Sequence, residues 1–109
     1  MIVGIGIDLI EIEKIAHDLH SDVYLRKVFT EAEIAACQDS VNSAECFAGR
    51  FAAKEALMKA ITNGIRQGVW FTHIEVLNHE NGQPYVQVSG QAEIRLNDLG
   101  ATNIHVSIT

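Results

Sequence analysis

The order of hydrophobic patterns along the chain predicts an α+β fold, an antiparallel sheet packed with one long central helix. Three observations carry this. The stretch 47–62, FAGRFAAKEALMKAIT, has no Pro, one Gly at Gly49, and many Ala, Leu, Met, Lys and Glu residues, which predicts a helix of about four turns. Alternating stretches at 70–78 and 85–88 flank the turn HENGQP, where Asn81-Gly82 is a hairpin signal. The full order reads β-α-α-α-β-β-α-β, with no repeat, linker or low-complexity segment, so residues 1–109 form one domain.

Residues 2–8, IVGIGID, read as a short strand. Alternation places Val3, Ile5 and Ile7 on one face and Ile2, Gly4, Gly6 and Asp8 on the other. The glycines leave that second face bare, so another element is expected to approach the backbone there. Asp8 with Glu11 fits a D-x-x-E cap before a helix reaching about residue 20. That helix turns Ile12, Ile15, Ala16 and Leu19 inward and Glu11, Lys14, His17 and Asp18 outward. Val23 to Phe29 is a second short helix or turn, and Thr30 with Glu33 is a capping box opening a third, from Glu31 to about Cys37. Polar residues from Gln38 to Ala44 form a loop before the central helix.

On the central helix, Phe47, Phe51 and Met58 make a bulky stripe, and Gly49, Ala53, Ala56 and Ala60 make a small-residue side. No continuous polar face remains, so the helix is expected to be packed on more than one side. Asn63-Gly64 is its stop signal. Trp70 to Asn78 and Tyr85 to Val88 are the hairpin strands, Gln91 to Leu99 a last helix closed by Gly100, and Ile104 to Ile108 a final strand.

The formal net charge of −6, from 14 acidic and 8 basic residues, argues against general nucleic-acid binding and confines any anion site to a local cluster. No apolar run approaches the roughly 20 residues of a membrane span. The N-terminus lacks a basic region and a small-residue cleavage site, which argues against a signal peptide. Two cysteines, Cys37 and Cys46, have neither metal-ligand spacing nor the density of a secreted scaffold, so reduced thiols in a cytoplasmic protein are expected.

Chemistry concentrates in the charges of the central helix: Arg50, Lys54, Glu55 and Lys59. Glu55 is expected to be buried and then needs a cation, a hydrogen-bond network or a metal. Asp8 on the glycine-lined face and Glu55 can form the carboxylate pair that Mg²⁺ favours, with phosphate and water completing its shell. The structural alternatives are that Asp8 only caps a helix and that Glu55 only pairs with Lys59 one turn on. Lys59 lies on the side of Glu55, whereas Arg50 points nearly opposite. Both can serve one ligand only if it lies between two copies of the chain; a structural role for Arg50 is the alternative. His17, Asp18 and His20 read as a solvated face rather than a metal site, and His105 as a satisfied strand histidine.

The segments IVGIGIDLIEIEKI, VFTEAEI (28–34), GRFAAKEALMKAI (49–61) and the closing HVSIT are colinear with, and resemble, the holo-acyl-carrier-protein synthase class of 4′-phosphopantetheinyl transferases. The resemblance implies that family's fold, and that Asp8 and Glu55 ligate Mg²⁺. It implies that Lys59 approaches the coenzyme A pyrophosphate and that Gly64 lies in a turn bordering the nucleotide. It also implies that Arg50 and His105 lie near the 3′-phosphate and adenosine end. A homotrimer holding coenzyme A between neighbouring subunits is the implied assembly. The implied reaction is attack of a serine hydroxyl of apo-acyl carrier protein on the β-phosphate of coenzyme A. It releases adenosine 3′,5′-bisphosphate and serves cytoplasmic fatty acid biosynthesis. Either Glu55 or a water on the metal accepts the serine proton. The rival expectation is a non-catalytic coenzyme A or nucleotide-binding protein of the same fold.

Two departures stand out. The family continues past the H-V-S-I segment with a second histidine and an apolar strand, whereas this sequence ends at Thr109, so its C-terminal strand is expected to be incomplete. The family also presents several arginines on the first helix to the acidic carrier. Here Lys14 stands amid Glu11, Glu13 and Asp18, with Arg26 and Lys27 beyond, so weaker or altered carrier docking is expected.

Overall fold

A computed structural model describes residues 1–62 and 67–109. Three short helices come first: α1 (Ile12–Asp18), α2 (Asp22–Val28) and α3 (Glu31–Gln38). The long α4 (Ser43–Thr62) follows, then a 3₁₀ turn (Phe71–His73), the hairpin β1 (Ile74–Asn78) and β2 (Pro84–Val88), and α5 (Gly90–Asp98). The α+β expectation holds, with an antiparallel two-stranded sheet registered from Ile74 opposite Val88 to Asn78 opposite Pro84.

Local signals were reliable where partners are close in sequence. The capping box forms: Thr30 Oγ1 accepts from the Glu33 backbone at 3.2 Å, and Glu33 Oε1 accepts from the Thr30 backbone at 2.9 Å. Gly82 takes φ +88° in the hairpin and Gly100 takes φ +73° after α5, conformations that suit glycine. α4 starts four residues earlier than expected and separates two core clusters. Phe47 and Ala48 join Ile15, Val28, Phe29 and Cys37 at one end; Met58 and Ile61 join Ile74, Val76, Ala92 and Leu96 at the other. Burying such side chains contributes roughly 1.5–3 kcal/mol each for the larger ones.

Four expectations are corrected. Among the described residues, neither 2–8 nor 104–108 pairs in a sheet. Both keep a period-two burial, with Gly6, Asp8 and Ile10 more covered than Ile5, Ile7 and Leu9, and Ile104 and Val106 more covered than His105 and Ser107. Apolar alternation sets which face turns inward, but a strand also needs a neighbour whose N–H and C=O groups match. Here the two segments lie over α4 and line a cavity of about 890 Å³.

The second correction concerns Asp8, which caps nothing: α1 opens at Glu11, with no side-chain capping bond. Ile12, expected inward, is exposed, while Ile15 is buried. The third is that β1 begins at Ile74 rather than Trp70, because the Trp70 backbone donates to His73 Nδ1 at 3.0 Å and tightens residues 71–73 into a turn. The fourth is that the cysteines are joined: Cys37 in the last turn of α3 and Cys46 in the first turn of α4 form a disulfide, with Cα atoms 5.6 Å apart. The loop between the helices brings them within bridging reach, a distance that spacing along the chain does not reveal.

Candidate active site

The N-terminal segment is held against the small-residue side of α4. A Cβ on Gly6 would fall 1.7 Å from the Ala56 carbonyl oxygen, and one on Gly4 would lie 3.1 Å from that of Ala60. Contact this close is what the two glycines permit, as the bare strand face suggested. It delivers Asp8, two residues beyond Gly6, onto the last turns of α4.

There Asp8 Oδ1 accepts from Lys59 Nζ at 2.6 Å, the lysine being about half exposed and the carboxylate largely covered. The bond to Asp8 raises the Lys59 pKa, with the charges of Asp8 and Glu55 adding to it against a smaller opposing effect of burial. Glu55 sits one turn before Lys59 and is half-buried, not the fully buried carboxylate expected; among the described residues no hydrogen bond or ion pair engages it. Its charge also reaches the Tyr24 phenol on α2, whose pKa is raised by burial first and then by Asp18 and Glu55. Tyr24 therefore remains a neutral hydroxyl facing a carboxylate-rich edge. The sequence offered no signal for it, because its relation to Glu55 is purely tertiary.

The structure thus gathers Asp8, Glu55 and Lys59 and leaves the other expected residues elsewhere. Arg50 is buried on the opposite side of α4, where Nη2 donates to Asn78 Oδ1 at 2.7 Å and Nη1 to Cys46 Sγ at 3.1 Å. His105 is exposed on the C-terminal segment, along the rim of the cavity. Gly64 lies outside the described residues. His17 and His20 are exposed, and among the described residues no group of three or more His, Cys, Asp or Glu is placed to hold a metal.

The charge that is fully buried is Lys54. It pairs with the equally buried Glu33 at 2.6 Å and donates to the Phe71 and Ile74 carbonyls. Glu33 accepts in turn from the Val76 backbone at 2.8 Å, and Thr30 Oγ1 donates to Glu75 at 2.6 Å. This network joins α3, α4 and β1 and gives Lys54 a structural role.

Small-residue packing, the aspartate delivered by the N-terminal segment and the Glu55–Lys59 turn bring two carboxylates and an ammonium to one edge of α4. A family model described as the 4′-phosphopantetheinyl transferase superfamily matches residues 4–107. The chain belongs to this superfamily. It is 40% identical to a holo-(acyl-carrier-protein) synthase of Halothermothrix orenii, over all of this chain and 88% of that protein. It is 42% identical to one of Magnetococcus marinus, over all of this chain and 84% of that protein. Among solved structures it is similar to the Neisseria meningitidis synthase, with a TM-score of 0.85 at 28% identity, covering all of this chain and 89% of that one. The Helicobacter pylori synthase in complex with coenzyme A gives a TM-score of 0.81 at 26% identity over 96% and 88% of the two chains.

Proposed function

We infer that the chain is a phosphopantetheinyl transferase of the holo-acyl-carrier-protein synthase kind. It moves 4′-phosphopantetheine from coenzyme A to a serine of apo-acyl carrier protein. The observation that carries this reading is the convergence of Asp8, Lys59 and Glu55 within one turn of α4, in a chain of this family. The serine oxygen forms a bond to the β-phosphorus, the bond from that phosphorus to the nucleotide's bridging oxygen breaks, and adenosine 3′,5′-bisphosphate leaves.

Such a displacement needs positive charge around the transferring phosphoryl group and little covalent help. Lys59 supplies a fixed ammonium, kept charged by its carboxylate neighbours. Asp8 and Glu55 offer hard oxygen donors, and two carboxylates with phosphate and water are a donor set that suits Mg²⁺. These two residues would hold the ion, which when present supplies further neutralisation of phosphate charge. Beyond them, Arg50 and His105 are assigned to the 3′-phosphate and adenosine end and Gly64 to the nucleotide turn. The assembly is a cytoplasmic homotrimer with coenzyme A shared between subunits. The opposed directions of Arg50 and Lys59 on α4 support that sharing, because one ligand cannot meet both within a single copy.

The test is incubation with coenzyme A, Mg²⁺ and apo-acyl carrier protein, followed by the carrier's mass. A phosphopantetheine adduct is expected, and its absence alongside calorimetric coenzyme A binding would favour the non-catalytic rival. Glu55→Gln and Asp8→Asn are each expected to lower turnover at least 100-fold, the scale on which a single electrostatic contribution to catalysis is felt. Both variants should unfold at the same temperature as the parent.

A further inference from the structure

Arg50 is a buried cation whose direct contacts among the described residues are all neutral. Nη1 reaches the Cys46 carbonyl at 3.5 Å and Cys46 Sγ at 3.1 Å, Nη2 reaches Asn78 Oδ1, and Nε has no partner. Glu33, whose charge also acts on Arg50, is already committed to Lys54 at 2.6 Å. A buried guanidinium lacking an anion is costly; coenzyme A would bring its phosphate only when bound, and within the chain itself the group placed to become an anion is the Cys46 sulfur at Nη1. In the disulfide that sulfur is neutral; as a thiolate it would complete the ion pair. The two cysteines also differ in access, Cys37 being fully buried and Cys46 only partly so.

We propose that Cys37 and Cys46 form an exchangeable dithiol–disulfide site, with Cys46 the reacting sulfur and small thiols of the glutathione class its partners. A thiolate attacks Cys46 Sγ, the bond to Cys37 breaks, and Cys37 leaves as a thiolate that takes up a proton. A second thiol then attacks the mixed disulfide and releases Cys46 as a thiolate beside Arg50. The balance is one protein disulfide and two thiols giving one protein dithiol and one small disulfide. In reverse, the Arg50-paired Cys46 thiolate attacks the small disulfide, and Cys37 closes the ring by expelling the small thiol. Opening the bond removes the covalent link between α3 and α4, which stay joined by the Glu33–Lys54 pair, and places a charged sulfur at Arg50 Nη1 while Nη2 keeps Asn78. Asn78 Nδ2 donates to the Gly82 carbonyl at 2.8 Å, so the redox state is felt at the hairpin turn.

The experiment uses the full chain, equilibrated in glutathione buffers of graded ratio and then alkylated with iodoacetamide at graded pH, with peptide masses read for each cysteine. The pair is expected to pass fully between disulfide and dithiol within the buffer range. In the reduced protein Cys46 should react at least tenfold faster than Cys37, with a pH midpoint below the roughly 8.5 of an ordinary thiol. Arg50→Gln is expected to return that midpoint to the ordinary value. If this variant does not fold, Arg50→Lys replaces it and should keep the lowered midpoint. A pair that stays oxidised throughout, faster alkylation of Cys37, or a midpoint indifferent to Arg50→Gln in a folded protein would each overturn the proposal.

Discussion

Lys54 and Glu55 are neighbours in sequence with opposite fates. Lys54 is wholly buried against Glu33, with its ammonium 5.6 Å from the centre of the Phe29 ring, while Glu55 is half-exposed at the site edge. Burial lowers the Lys54 pKa, and the charge and hydrogen bond of Glu33 act against that. Removing one partner of such a pair strands the other in a medium that cannot solvate it. Lys54→Met is therefore expected to destabilise the protein by about 3–5 kcal/mol, read as a shift in the urea midpoint. Adding Glu33→Gln should recover part of that loss, because the orphaned charge is gone while one of the two backbone bonds, from Thr30 or from Val76, can persist on the amide oxygen. The wheel identified this helix as charged and packed on several sides, yet it assigned the inward carboxylate to Glu55. A helical repeat gives each residue its direction around the axis. It says nothing of the counter-ion waiting on α3, and that decides which charge can go in.

At the scale of elements, the N-terminal segment is positioned by glycine and not by a β-ladder. Gly6→Ala would place a methyl group 1.7 Å from the Ala56 carbonyl oxygen, so the segment must move and carry Asp8 away from Lys59. We expect Gly6→Ala to reduce phosphopantetheine transfer at least tenfold while lowering the melting temperature by only a few degrees. Gly4→Ala, at 3.1 Å, asks for a shift of only a few tenths of an ångström and should have the smaller effect in the same assays. The disulfide acts on another pair of elements. Closing a loop across a separation of 9 residues, it should stabilise the oxidised protein by about 2–3 kcal/mol relative to Cys46→Ser, measured by denaturation in oxidising buffer. The Thr30–Glu33 box and the Asn81-Gly82 turn could be read directly, since all their partners lie within a few residues. The bridge and the unpaired terminal segments could not, since both depend on what the rest of the chain brings alongside.

For the whole molecule, the outward row of the N-terminal segment is the most conspicuous surface feature. Ile5, Ile7 and Leu9 are 73%, 77% and 93% exposed, on the face opposite the glycines that settle on α4. Contiguous apolar exposure of this kind marks an association surface, consistent with the proposed trimer. Sedimentation of the parent should give three times the chain mass, and Ile5→Glu with Ile7→Glu should give one, with helical circular dichroism retained. The family was legible because the segments that carry it, such as 49–61, are short and distinctive. The exposure of this face was not, since alternation alone does not say which face a neighbouring element will meet.

The meeting of Asp8 with Lys59 has a consequence for how the enzyme comes into being. These residues are 51 positions apart, whereas the α3 cap and the β1–β2 hairpin close over a handful. Closing the longer loop costs more entropy, and only after α4 exists is there a surface for Gly6 to settle on. The Asp8–Lys59 contact is thus expected among the last to form. After dilution from denaturant, recovery of helical signal should precede recovery of transfer activity, leaving a transient population that is folded in its core and chemically inert.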